Sequence, residues 1–359
     1  MAVSMGMGLI MRRLIWAWIM MLGVGIMRAQ VTPGVFPAAS VRSVAVHEAT
    51  GTYYAGTYGG GVFSSSDGIS WSRITPANML DYINCIEVGQ NGELLVAAAN
   101  KAAVSRDHGV SWQILLNIES LSIKDAVFSS GEHVYLVGTQ GSGLIKCSEN
   151  GLISEPLTTT IPVSQVRSIL WHVSLPDRII IGSQNGIILS ENAGSTWTFK
   201  NNGLNKLFVR VLSYDPQNPN RLFVSIQDSF ASVSSGGTIY RSQNSGDSWT
   251  KIFEEVCLTD IAIDPASPAT VAATSYYSGV IISNENGDPG TWVPMNSGLP
   301  GLRVYDIEFS SGKMVAGTSF GFYKNDGSFW MASNSGMNVP NIRSLSAFEG
   351  GSAKIIAGC

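Results

Sequence analysis

Two aspartates, Asp260 and Asp306, stand at matching positions of successive sequence repeats. Two carboxyl groups held about 5 to 10 Å apart across a glycosidic bond are the arrangement that hydrolyses it. Aligning the starts of the first strand of every repeat places Ser43, Asn84, Asp125, Ser168, Val211, Asp260, Asp306 and Ser344 in one register, with Arg42, Ile83, Lys124, Arg167, Arg210, Thr259, Tyr305 and Arg343 just before it. The loops after the second strands of units one, six and seven carry Tyr58, Tyr276, Tyr277 and Phe320. Flat aromatic faces beside Arg and carboxylates suit sugars or extended peptides, which need apolar contact together with directional polar partners. The candidate ligand-binding residues are therefore Arg42, Tyr58, Asp260, Tyr276, Tyr277, Tyr305, Asp306 and Phe320, and Asp260 with Asp306 form the alternative catalytic pair. His47, His108, His133 and His172 lack metal-ligand spacing, so no metal site is expected, and no cofactor is implied.

What must position these residues is a repeated unit. An apolar run ending in a small triplet recurs eight times, from Ala55-Gly56-Thr57 and Ala97-Ala98-Ala99 to Ala316-Gly317-Thr318 and Ala357-Gly358-Cys359. A polar turn ending in Trp follows most copies, and successive tryptophans lie about 40 to 50 residues apart, the period of a four-stranded propeller blade. The first unit divides into strands near Val41 to Val46, Thr52 to Thr57, Gly61 to Ser65 and Ser70 to Ile74, separated by Gly-rich or Asp-Gly turns. The segments Asp215 to Pro219 and Asp264 to Pro268 read as turns, since Pro cannot donate to a ladder. The expected fold is all-β, a propeller of about seven four-stranded blades over residues 30–340, with eight blades as the alternative. Residues 341–359 repeat the first two strands of a unit and read as a partial, truncated eighth repeat, as in a fragment of a longer protein.

The turn before each Trp follows the pattern Ser-x-Asp-x-Gly-x-Ser/Thr-Trp. Ser105 to Trp112 matches it fully, with Asp107, Gly109 and Trp112 at the defining positions. Asn192, Gly194 and Trp197, and likewise Asn244, Gly246 and Trp249, match with Asn for Asp. Asp67 with Trp71 and Asp326 with Trp330 belong to copies one residue short, and Trp292 ends a lengthened copy. The pattern resembles the Asp-box, or bacterial neuraminidase repeat, found in sialidases, xyloglucanase-type glycoside hydrolases, sortilin-type receptors and photosystem II assembly factors. Ser72-Arg73-Ile74-Thr75 lacks the aromatic residue and the Pro of the Phe/Tyr-Arg-Ile-Pro motif that sialidases carry, which argues against that branch. The box itself reads as structural: a short acceptor side chain caps the turn, Gly takes positive φ, and Trp packs on the neighbouring sheet.

The first 29 residues differ in kind. Arg12 and Arg13 precede an apolar run from Leu14 to Met27, too short for a comfortable membrane span, and the segment reads as a signal peptide cleaved after Ala29. Its removal takes three Arg and no acid from 22 basic and 26 acidic residues and leaves a formal charge of −7. A mildly acidic chain is a poor partner for nucleic acid, and no integral membrane span is expected after signal removal. Cys85, Cys147, Cys257 and Cys359 fall in apolar strand patterns and read as buried hydrophobes. The sequence thus points to a non-catalytic binding propeller for carbohydrate or protein, secreted, periplasmic or at a bacterial cell surface. A xyloglucanase-type glycoside hydrolase is the alternative.

Overall fold

The structure, a computed structural model, describes residues 40–118, 122–128, 134–148, 154–157, 163–172, 175–228, 236–310, 312–337, 344–348 and 354–358. The chain divides into two compact units, Met1–Phe36 and Pro37–Cys359. The first unit, and with it the expected signal peptide, lies outside the described residues, as do His133, Arg343 and Cys359.

The second unit is a seven-bladed β-propeller in which each blade is a sheet of four consecutive antiparallel strands. Blade one comprises Val41–His47, Thr52–Thr57, Gly61–Ser65 and Ser72–Arg73, close to the boundaries that the turn residues suggest. The other innermost strands are Ile83–Val88, Ser122–Phe128, Val166–Trp171, Phe208–Asp215, Leu258–Ile263 and Val304–Ser310. Each packs beside the next, and Val304–Ser310 packs beside Val41–His47, so the ring closes. Second strands such as Leu94–Ala98, Ile179–Ser183 and Val271–Ser275 are buried at every residue. They are covered on both faces by adjoining blades, which explains continuous apolar runs where a half-exposed strand would alternate. Three outermost strands, Ser72–Arg73, Thr198–Phe199 and Val293–Pro294, have two residues each and are exposed throughout. Short edges of this kind offer little backbone for unwanted pairing.

The small triplet has a packing cause. A Cβ added to Gly56 would lie 2.4 Å from Ile83 Cγ2, and one added to Gly182 would lie 2.3 Å from Val209 Cγ1. At Gly56, Gly138, Gly182 and Gly317 the first buried side chain of the following blade therefore rests on the backbone of the triplet, whereas Ser225 and Thr274 hold the same position in blades five and six. Gly317 meets Val41 in the same way at 2.9 Å, so one contact type recurs where blade seven meets blade one. The core is correspondingly a set of inter-blade clusters: Ala45, Tyr54 and Val62 pack with Ile83, Leu94 and Val96, and Val315 and Phe322 pack with Val41, Phe63 and Trp71.

Two expectations are corrected. Eight blades are excluded by the closed ring of seven. The turn in blade five is Pro216-Gln217 alone, because the second strand starts at Asn218 and contains Pro219. A register shift between Tyr214 and Asp215 leaves Pro219 unpaired with the first strand, so its missing N–H breaks no bond of that ladder. Each of the seven sheets is made of consecutive strands. Beyond them, Ser344–Phe348 and Lys354–Gly358 pair as a two-stranded antiparallel sheet.

Candidate functional site

The seven innermost strands line a central channel of about 620 Å³. Each strand begins with a β-bulge, and the bulged residue is Arg42, Asn84, Lys124, Arg167, Arg210, Thr259 or Tyr305. A bulge adds a residue unpaired in the ladder and re-aims its side chain. All seven residues line the channel, and two of them also bond the next blade, Asn84 Nδ2 donating to Ile123 O at 2.7 Å and Thr259 Oγ1 to Val304 O at 2.8 Å. Asn84 therefore belongs with Arg42, and Cys85 takes the place in the next layer that sequence alignment gave to Asn84.

That next layer is Ser43, Cys85, Asp125, Ser168, Val211, Asp260 and Asp306, and it stitches blades together. Ile86 N–H donates to Ser43 Oγ at 3.0 Å, Ile169 N–H to Asp125 Oδ2 at 2.7 Å and Leu212 N–H to Ser168 Oγ at 3.0 Å. Ile307 N–H donates to Asp260 Oδ2 at 3.0 Å, and Val44 N–H to Asp306 Oδ2 at 2.7 Å. Each acceptor holds the amide one residue beyond the same layer on the following blade, a donor the sheet leaves over and that burial requires to be satisfied. Asp260 and Asp306 also meet each other through a side-chain hydrogen bond. Burial, the Asp260 charge and that shared bond hold the Asp306 carboxyl well above its ordinary range. Two residues further down, Glu87 accepts from Phe128 N–H at 2.9 Å. Burial and the neighbouring Asp125 push the Glu87 carboxyl up to about 8, and burial with Glu48 and Asp260 does the same for Glu308.

The mouth layer has the opposite sign. Burial, Arg167 and Arg210 bring the Lys124 ammonium down to about 8, and burial with Arg210 lowers Arg167 to about 10. The channel is thus cationic at its mouth and carboxylic inside.

On the rim of blades six, seven and one, aromatic rings and arginines form a continuous ladder. The Arg42 guanidinium lies 4.9 Å from the Tyr58 ring centre and 4.0 Å from that of Tyr305. Tyr305 meets Tyr276 edge-on at 5.8 Å, and Tyr276 meets Tyr277 at 5.3 Å. Sequence reasoning named those five residues but missed both ends of the ladder: Tyr82, edge-on to Tyr58 at 4.9 Å, and Arg303, 4.8 Å from the Tyr276 ring. Both hold the position just before the innermost strand of their blade, one residue ahead of Ile83 and Val304. Tyr58 is 51% exposed and Tyr277 41%. Phe320 stands apart, its ring against Gly301. Among the described residues, no three His, Cys, Asp or Glu side chains gather as metal ligands.

The Ser-x-Asp-x-Gly turns lie at the outer hairpins, away from the channel. Asp67 Oδ1 accepts from Ser65 Oγ at 2.8 Å and from the amides of Ile69 and Ser70 at 2.7 and 2.8 Å. Asp107 repeats this with Ser105 Oγ and Ser111 N–H, both at 2.8 Å, and Asn192 and Asn244 accept from Thr196 and Ser248 amides. Asp326 accepts from Ser328 and Phe329. Gly109, Gly194 and Gly246 have φ of 93°, 90° and 88°. The Trp indoles then bond across to the preceding blade: Trp71 to Ser333 O at 2.7 Å, Trp112 to Ile74 O at 3.0 Å, Trp249 to Lys200 O and Trp330 to Met295 O, both at 2.8 Å. Trp292 instead bonds Gly287 O of its own turn at 3.1 Å, and Trp197 packs beside the cluster of Val166 and Ile188.

The fold and channel define a seven-bladed propeller with a polar mouth. No family model matches this chain, and no curated protein matches it. Solved structures do match in fold. The GH74 enzyme of Niastella koreensis superposes with a TM-score of 0.71 at 16% identity, over 90% of this chain and 58% of the enzyme. The extracellular domain of BT4673, described as a one-component system, from B. thetaiotaomicron gives 0.62 at 14% identity over 80% of this chain and 39% of that one. YCF48 from Cyanidioschyzon merolae gives 0.57 at 14% identity over 80% of this chain and 94% of that one. The chain spans little more than half the length of the GH74 enzyme it matches.

Proposed function

We propose that this chain is a non-catalytic carbohydrate-binding propeller of the bacterial cell exterior, built on Asp-box turns, whose site is the channel mouth beside blades six, seven and one. The observation that carries the reading is the ladder from Tyr82 through Tyr58, Arg42, Tyr305 and Tyr276 to Arg303. Rings held edge-on and braced by guanidinium groups are pre-ordered, so they lose little freedom when a sugar ring stacks on them. A glycan array on the protein tests it. Wild type is expected to retain at least one oligosaccharide class, and a Tyr58→Ala, Tyr276→Ala, Phe320→Ala variant to lose it about tenfold or more at unchanged melting temperature. Undiminished binding by that variant rejects the site.

The second reading is a glycoside hydrolase acting through Asp260 and Asp306, favoured by the fold shared with GH74 enzymes and by the adjacency of two acids. Two features weigh against it. Burial and the Asp260 charge push Asp306 towards its neutral form, which is no nucleophile. One oxygen of each is also committed to a backbone amide. Release of reducing sugar from xyloglucan, abolished by Asp260→Asn in a folded protein, would establish hydrolysis.

A further inference from the structure

The aromatic ladder crosses from blade to blade, and each crossing carries a second contact one layer further into the channel. Between blades seven and one, the Arg42 guanidinium stacks on the Tyr305 ring. The next residue of each strand makes the contact below it: Asp306 accepts from Val44 N–H at 2.7 Å and has the Ser43 hydroxyl as a further partner. Between blades six and seven, Tyr276 meets Tyr305 above, while below Asp260 accepts from Ile307 N–H at 3.0 Å and its carboxyl bonds that of Asp306. Between blades one and two, Tyr58 meets Tyr82 above, and Ser43 accepts from Ile86 N–H at 3.0 Å below. A chain of hydrogen bonds from Asp260 through Asp306 and Ser43 to Ile86 therefore spans the same four blades as the rings above it. Arg42 and Tyr305 are bulged residues without a partner of their own in the sheet, so Ser43 and Asp306, next in each strand, anchor them.

The weak point of that chain is its one pair of acids. The other members of the layer are Ser43, Cys85, Asp125, Ser168 and Val211, so acids face each other only where blade six meets blade seven. We propose that Asp306 is a positioning residue for the ligand: a proton shared with Asp260 closes the chain and holds the rings in register, and its loss parts blades six and seven at this layer and moves Tyr305 off Tyr276 and Arg42. This rests on the carbohydrate reading above and adds what regulates the site. Two carboxylates have no donor between them once the proton has left for the channel water, and as buried like charges they repel. Burial and the Asp260 charge put that loss well above the ordinary 3.8 of an Asp. The protonated pair is thus the form that folding favours, and its contribution fades as pH rises through the folded value. The other ionisable groups near the pair are Arg210 and Asp125, which feel the Asp260 charge, Cys85, which feels Asp306, Glu308 on the Asp306 strand, and Arg42 and the Tyr305 phenol in the layer above. Arg210, Asp125 and Cys85 belong to blades five, three and two, away from the crossing of six and seven.

NMR of the whole protein carrying 13C-labelled tyrosine tests the inference, with Tyr305 and Tyr276 assigned from Tyr305→Phe and Tyr276→Phe. Both signals are expected to shift in one step between about pH 4 and about pH 9, while Tyr135 in blade three and Tyr240 in blade five stay fixed. Asp306→Asn keeps an acceptor for Val44 N–H and offers Asp260 a donor that cannot titrate, so it should abolish the step; Glu308→Gln should leave it in place. Calorimetry with cellohexaose and maltohexaose on either side of the step reads the consequence for binding. Whichever sugar binds should be held about fivefold or more weaker above the step in wild type, but not in Asp306→Asn. A step that is absent in wild type, persists in Asp306→Asn or disappears in Glu308→Gln overturns the inference, as does a sugar held equally tightly on both sides of it. Failure of both sugars to bind, with the step intact, counts against the carbohydrate reading and supports Asp306 as the residue that positions the rings.

Discussion

The amide of Val44 donates to Asp306 Oδ2 at 2.7 Å across 262 residues of chain, joining blade one to blade seven. The same bond type joins blades six and seven through Asp260 and Ile307. Asp306→Ala strands a buried N–H at the closure, and should cost about 1–3 kcal/mol. Asp306→Asn keeps an acceptor and removes the like-charge contact with Asp260, so it should cost less. Urea unfolding of the two variants beside wild type measures the difference, and an Asp306→Ala protein as stable as wild type would show that the stitch is dispensable.

The tryptophans supply a second line of inter-blade bonds further out. Trp249 is 4% exposed, and both its indole and its backbone N–H bond the segment after the outermost strand of blade four, at Lys200 O and Asn202 O. Trp249→Ala should cost about 3–5 kcal/mol by opening a cavity between blades. Trp112 is only half-buried, so Trp112→Ala should cost less. Neither change should alter sugar affinity in the folded protein, as calorimetry at a temperature well below the transition would show.

The period, the seven blades and the turn chemistry were legible because each rests on local rules: Gly at turn positions such as Gly109, Gly194 and Gly246 where φ is positive, apolar runs where a strand is covered on both faces, small residues where the next blade leans on the backbone. The layering of the channel was legible only in part. Aligning Asn84 with Ser43 missed by one residue although both strands carry the same bulge, and the apolar pair Ile83 and Ile86, matching Val41 and Val44, is the signal that corrects it. The role of Asp260 and Asp306 was hidden for a different reason. Their partners are backbone amides of another blade, and an amide leaves no mark in a sequence. Tyr82 and Arg303 were missed although they share one register position, directly before Ile83 and Val304, because the alignment of strand starts began two residues later.

Glu87 and Glu308 give the stability a falling alkaline limb. Their folded-state values of about 8 lie above the ordinary 4.5 of an unfolded Glu. The protonated form is thus favoured by folding, and the stabilisation is complete below about 4.5 and lost as pH rises towards 8. Glu87→Gln should leave stability at pH 4 nearly unchanged and raise it at pH 8 by roughly 1–2 kcal/mol, a figure reduced to allow for water in the channel. The amide also retains an acceptor for Phe128 N–H. Thermal melts from pH 4 to 9 check the sign: a Glu87→Gln protein less stable than wild type at pH 8 would mean that the ionised carboxylate is the favoured form.

Asp67 and Asp107 shape the acid limb in the reverse sense. Each carboxylate accepts amide and hydroxyl hydrogen bonds, which hold both at about 2, below the ordinary 3.8. A lowered carboxyl contributes its stabilisation above its unfolded value and loses it as pH falls through the folded value, so wild type should weaken between about pH 4 and pH 2. Blades four and five show what removes this dependence, because Asn192 and Asn244 accept the equivalent amide bonds with no charge to titrate. The double variant Asp67→Asn, Asp107→Asn should therefore keep its turns and show a flatter melting profile between pH 4 and pH 2, with its sugar affinity unchanged at neutral pH. An acid limb as steep in the double variant as in wild type would place the acid-labile carboxylates elsewhere in the ring.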